Sequence, residues 1–107
     1  MIEVRDGELL TALEQAVERE GITDAAIVTL IGAVDSFTLS TMPTADATKD
    51  IVTDYELPAE MTGTGEIVGG KPHIHAVMAV EGERAVAGHL HRAQVRTWFA
   101  RAYVISR

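Results

Sequence analysis

The chain has four histidines, which form two copies of one short pattern: His73 with His75, and His89 with His91. In a β-strand, side chains two residues apart point to the same face, so each pair presents two imidazoles separated by roughly 7 Å of strand. Neutral imidazole is a common ligand of zinc and similar ions. Converging histidines would therefore form a metal site, whereas histidines on a solvent-facing strand would be ordinary polar surface.

The segment between the two pairs predicts that they converge. Residues 76–80 and 84–88 are mostly apolar, and the polar stretch Glu81-Gly82-Glu83 separates them. This pattern is typical of a β-hairpin, which would bring both pairs together at its open end. Three or four imidazole nitrogens there would suit zinc or another divalent transition metal. The spacing alone leaves open which three of the four histidines bind.

Size, charge and cysteine content narrow the class of protein. The 107 residues are 47% hydrophobic, which indicates a single globular domain spanning residues 1–107. The net charge of −7 repels phosphate backbones, so we expect no autonomous nucleic-acid binding. Cysteine is absent, which suits a cytoplasmic protein, and no apolar run approaches the ~20 residues of a membrane span.

The chain begins with one clear amphipathic helix. Its apolar residues follow the helical period from about Gly7 to Glu20, with Asp6 predicted as the N-cap and Gly21 as the C-terminal stop. After this helix the composition favours strands. The predicted strands lie at Ala25–Ile31, Val34–Leu39, Ile51–Leu57, Met61–Val68 and Gln94–Ser106, in addition to the hairpin, with a loop over Ser40–Asp50. Together these elements predict an α+β domain, a mostly antiparallel sheet with the N-terminal helix packed on it.

Several motifs are similar to those of a known family. Pro72-His73-Ile74-His75 is followed by Gly88-His89-Leu90, and the N-terminal helix is followed by Ile31-Gly32-Ala33-Val34. In these features the sequence resembles the PPC domain (plants and prokaryotes conserved, also known as DUF296) over most of its length. The Pro-His-x-His and Gly-His-Leu motifs are the specific part of this resemblance.

The resemblance implies a homotrimer with a three-histidine metal site at His73, His75 and His89. His91 lies outside the family's pattern. It is an extra metal ligand, a base next to the metal ligands, or a solvent-exposed residue. The chain departs from the pattern at Ala87, where a glycine is usual, and at Ala100, where members often carry an acidic residue. Plant members add basic AT-hook segments, and because this chain has none, the label of DNA-binding protein does not pass to it.

Three functional hypotheses follow from these residues. In the first, three histidines leave a zinc ion one open position for metal-hydroxide chemistry on a small-molecule ligand, with Glu56 the preferred proton acceptor and Glu60 and Glu81 the alternatives. In the second, the domain is a non-catalytic trimeric scaffold that recruits partners. The third, a cupin-like barrel, is disfavoured because too many residues separate His75 from Glu81. The sequence does not decide between catalysis and a scaffold.

Overall fold

The computed structural model describes all residues from 1 to 107 and contains one helix and one nine-stranded sheet. The elements are β1 (Ile2–Val4), β2 (Gly7–Glu8), α1 (Leu9–Arg19), β3 (Ala25–Val34), β4 (Ser36–Thr41), β5 (Ile51–Tyr55), β6 (Ala59–Val68), β7 (Lys71–Val80), β8 (Arg84–Val95) and β9 (Ala100–Ser106). The strands follow the order β1-β9-β3-β6-β7-β8-β4-β5, and β2 pairs with β8. Every strand pair is antiparallel, which confirms the predicted α+β architecture.

The helix packs one apolar face against the sheet. Leu9, Leu13, Ala16 and Val17 are buried, and α1 contacts β7 and β8. The predicted N-cap, Asp6, was wrong, because the cap is Glu8. The Glu8 carboxylate accepts hydrogen bonds from the backbone N–H groups of residues 10 and 11 in α1 and of residue 93 in β8. One side chain thus caps the helix and fixes it to the strand that carries two of the histidines.

The hydrophobic core lies on one face of the sheet only. Alternation along β7 is regular: Ile74, Ala76 and Met78 are buried beneath α1, while the residues between them are exposed. The molecule is a slab of 37 × 34 × 18 Å, with the helix over one face of the sheet and no layer over the other. We call this uncovered side the outer face. The structure contains no helix with the length and apolar character needed to cross a membrane.

Several strand limits differ from the prediction, and β3 continues to Val34. β5 ends at Tyr55 and not at Leu57, β4 continues to Thr41, and the predicted strand over 94–106 is broken between β8 and β9. Asp35 fixes this break, because its carboxylate accepts hydrogen bonds from the N–H groups of Arg96 and Thr97 and from the Thr97 hydroxyl. The Thr97 hydroxyl bond above all lowers the pKa of Asp35.

Candidate metal centre

The β7–β8 hairpin brings the two histidine pairs together as predicted. Its turn spans residues 81–83, where Gly82 (φ +85°) and Glu83 (φ +58°) take the left-handed conformation that a tight turn requires. The pairing continues to the open end of the hairpin, where His75 lies directly opposite His89. Both side chains lie on the outer face. His73 lies on the same face, two residues before His75 in β7.

Three of the histidines form a compact group. One ring nitrogen from each of His73, His75 and His89 lies within 4.8 Å of the others. The ring centroid of His73 is 5.1 Å from that of His75 and 5.0 Å from that of His89, and the His75 and His89 centroids are 6.0 Å apart. His73 and His75 are exposed and His89 is half-buried. This is the same set that the family resemblance implied.

The donor set fits a zinc ion. A tetrahedral ion about 2.1 Å from each imidazole nitrogen holds those nitrogens about 3.4 Å apart. The three nitrogens lie within 4.8 Å of one another, and the side chains of His73 and His75 are exposed, so rotation of these rings can bring the nitrogens to that spacing. Three neutral imidazoles also leave the fourth position of such an ion open.

The surroundings of His89 favour its neutral form. Burial is the main cause of its lowered pKa, and the nearby rings of His91, His73 and His75 lower it further, while the Asp50 carboxylate acts in the opposite direction. A histidine must be deprotonated at the ligating nitrogen to bind a metal. With its pKa below the ordinary value, His89 is neutral at pH 7.

His91 lies beside this group and outside it. Its ring centroid is 4.7 Å from that of His89, and its Nε2 lies 2.7 Å from the hydroxyl of Ser40, which is buried. The cause of its position is a β-bulge, in which Leu39 and Thr38 of β4 pair with Leu90 and Arg92 and leave His91 without a partner. Its role as a fourth ligand stays a prediction.

The predicted carboxylates are separated from the histidines. Glu56 was expected within a strand, but it lies just past the end of β5. Its side chain is 78% exposed, and its Oε1 is 3.5 Å from Nη2 of Arg92. Glu60 and Glu81 line a second cavity, together with Trp98. The role of Glu56 as a proton acceptor stays a prediction.

Two other carboxylates approach the histidines, and the sequence reasoning missed both. Glu66 of β6 lies directly opposite His73, and its Oε2 is 3.3 Å from His73 Nδ1. Asp50, which precedes β5, lines a cavity that His75 and His89 also line. Alternation places Glu66 on the outer face, but only the strand register pairs it with His73; no local signal indicated Asp50.

This cavity lies on the outer face beside the histidines and has a volume of about 840 Å³, within the range of small-molecule sites. Its wall is mostly apolar, but five of the 14 lining residues carry a hydroxyl group and none is a lysine or an arginine. The hydroxyl residues are Thr29, Ser40, Thr41, Thr62 and Thr64. The metal centre therefore adjoins a space with hydrogen-bonding groups and one carboxylate, that of Asp50.

The sequence profile of the Plants and Prokaryotes Conserved (PCC) domain matches residues 1–107. The chain belongs to the PCC domain family. This is the family, abbreviated PPC above, whose resemblance was read from the Pro-His-x-His and Gly-His-Leu motifs, so that prediction is confirmed. No protein of curated function shows significant sequence similarity to this PCC chain.

Solved structures share the PCC fold. A "putative DNA-binding protein" from Ralstonia eutropha JMP134 is 28% identical, with a TM-score of 0.78 over 99% of this chain and 76% of that one. A metal-containing protein from Archaeoglobus fulgidus is 23% identical, with a TM-score of 0.78 over 99% of this chain and 79% of that one. A plant- and prokaryote-conserved protein from Pyrococcus horikoshii is 22% identical, with a TM-score of 0.78 over 99% of this chain and 78% of that one.

Proposed function

We propose that this PCC protein binds zinc, or another divalent transition metal, through His73, His75 and His89 and acts on a small molecule in the adjoining cavity. The observation that carries the proposal is the convergence of three imidazole nitrogens within 4.8 Å. The structural neighbour from Archaeoglobus fulgidus, described as a metal-containing protein, supports it. Hydrolysis, hydration and lyase reactions are the classes of chemistry that such a site favours.

We assign the residues around the site different roles in such a reaction. A zinc ion held by His73, His75 and His89 would supply a Lewis acid. The hydroxyl groups of Thr62 and Thr64 offer hydrogen bonds that orient a ligand within the cavity. Asp50 is the carboxylate that lines the same cavity, so we assign it the role of proton acceptor ahead of Glu56, which does not line it.

Metal analysis combined with an activity screen tests this proposal. Protein purified without chelator should contain about one zinc, or one other transition metal, per chain, because each chain holds one three-histidine set. Turnover of small esters, lactones or hydratable compounds should disappear on chelation and in Asp50→Asn, which keeps its metal. No bound metal after zinc is offered back would refute the proposal. Bound metal with no turnover would favour the scaffold described next.

A second candidate function is a homotrimeric scaffold, and the outer face favours it. Ile31, Val77 and Tyr103 are 54%, 43% and 42% exposed. Strand register places them on one face, since Ile31 lies opposite Thr62 and Thr62 opposite Val77. Tyr103 is on the same face, because it lies two residues from Arg101, which pairs with Ile31 on β3. Val52 and Ile105 are exposed as well, and exposed apolar side chains on one face are typical of a protein interface. Assembly into a trimer, as the family resemblance implies, would cover these side chains.

We propose that this PCC protein has no sequence-specific DNA-binding activity of its own. The name of the Ralstonia eutropha neighbour applies to that protein, and the net charge of −7 opposes binding to phosphate backbones. Duplex DNA in a fluorescence anisotropy titration at physiological salt should bind weakly and without sequence preference. Tight binding under these conditions would contradict this view.

A further inference from the structure

Glu66 and His73 form a close pair at the edge of the metal centre. They lie directly opposite each other on β6 and β7, where cross-strand side chains are near neighbours. Glu66 Oε2 is 3.3 Å from His73 Nδ1, and both side chains are about half exposed. The carboxylate therefore contacts one ring nitrogen of His73, and the other ring nitrogen, Nε2, is free of this contact.

This contact has a known use at metal sites. A histidine that binds a metal commonly donates its other ring N–H to a carboxylate, which fixes the tautomer and the ring orientation and makes the ligating nitrogen more basic. We propose that Glu66 is the positioning residue of the metal centre, accepting the Nδ1 proton of His73 so that Nε2 faces the ion. This inference rests on the proposed metal-binding function.

The backbone next to the Glu66–His73 pair allows β6 and β7 to approach closely. Gly65 precedes Glu66, and a Cβ at Gly65 would lie 2.1 Å from the backbone oxygen of His73. Only glycine permits this approach of β6 to β7, next to the Glu66–His73 pair. His75 and His89 have no side-chain hydrogen bond, so Glu66 is the one carboxylate that orients a member of the triad.

An ordinary surface ion pair is the alternative explanation. Such a pair contributes little to folding, and it needs a protonated His73. A positioning role instead requires a neutral ring with its proton on Nδ1. The two explanations therefore differ in the tautomer of His73 at pH 7 and above and in the effect of Glu66 on zinc affinity.

Glu66→Ala should raise the dissociation constant for zinc about tenfold to a hundredfold, the usual effect of losing an outer partner of a ligand. Glu66→Gln, which keeps an acceptor oxygen, should recover part of this loss. Glu60→Ala is the matched control, because Glu60 lies on the same strand and outer face, carries the same charge and has no histidine contact. Competition with a chromophoric chelator gives the affinities. In the metal-free protein above pH 7, nitrogen-15 NMR of the imidazoles should show the His73 proton on Nδ1 in the unsubstituted protein and on Nε2 in Glu66→Ala.

The outcomes separate this inference from the proposed function. A protein that binds no zinc would refute both. Zinc binding by the unsubstituted protein, with equal affinity in Glu66→Ala, would refute the inference alone. Equal losses in Glu66→Ala and Glu60→Ala would reduce the effect to net charge and would refute it as well, as would an unchanged His73 tautomer.

Discussion

His75→Ala should abolish stoichiometric zinc binding while the protein stays folded. His75 lies opposite His89 and beside His73, so its removal leaves two of the three imidazole ligands. Two imidazoles are fewer than the three or four protein ligands of zinc sites in proteins. The loss of a direct ligand should exceed the tenfold to hundredfold effect of an outer partner. Metal analysis after dialysis, with circular dichroism to confirm folding, measures the result.

His91→Ala is the matched control for this prediction. This variant also removes one imidazole from the same hairpin. His91, however, lies outside the three-nitrogen group and contacts Ser40. Zinc content should therefore persist in His91→Ala. Retention of zinc in His75→Ala would refute the site, and loss of zinc in both variants would indicate that His91 is a fourth ligand.

The sequence predicts this site well where periodicity alone determines it. Alternation along β7 places His73 and His75 on one face, and the polar turn at residues 81–83 predicts the return of β8. Directly opposed His75 and His89 are the result. Local pattern is sufficient here, because a hairpin with a short turn fixes its own register.

The parts that were missed depend on contacts between distant segments. The bulge at His91 arises from the pairing of β8 with β4, and no residue of β8 indicates it. Glu66 meets His73 only through the β6–β7 register, and Asp50 approaches the histidines from the end of a long connection. Likewise, the apolar run from Ala25 to Ile31 predicts a buried strand, yet Val28 and Ile31 are exposed.

The exposed apolar surface leads to a prediction about assembly. The protein should have a mass near three times 11.5 kDa in light scattering, and Ile31→Lys should reduce it to near 11.5 kDa. Ile31 lies within the outer face, 54% exposed in the single chain, so a trimer formed over this face would bury three unpaired lysines. Burying an ammonium group without a partner costs several kcal/mol, enough to dissociate the trimer at micromolar concentration.

Gln15→Lys is the control, because residue 15 is exposed on α1, on the opposite side of the sheet, and receives the same charge. This variant should remain trimeric. Zinc content should be unchanged in Ile31→Lys, since all three ligands come from one chain. A monomeric unsubstituted protein would refute the trimer, whereas a trimeric Ile31→Lys variant would place its interface elsewhere. Loss of zinc on dissociation would show that the metal centre depends on a neighbouring copy, which the single-chain geometry of the triad does not require.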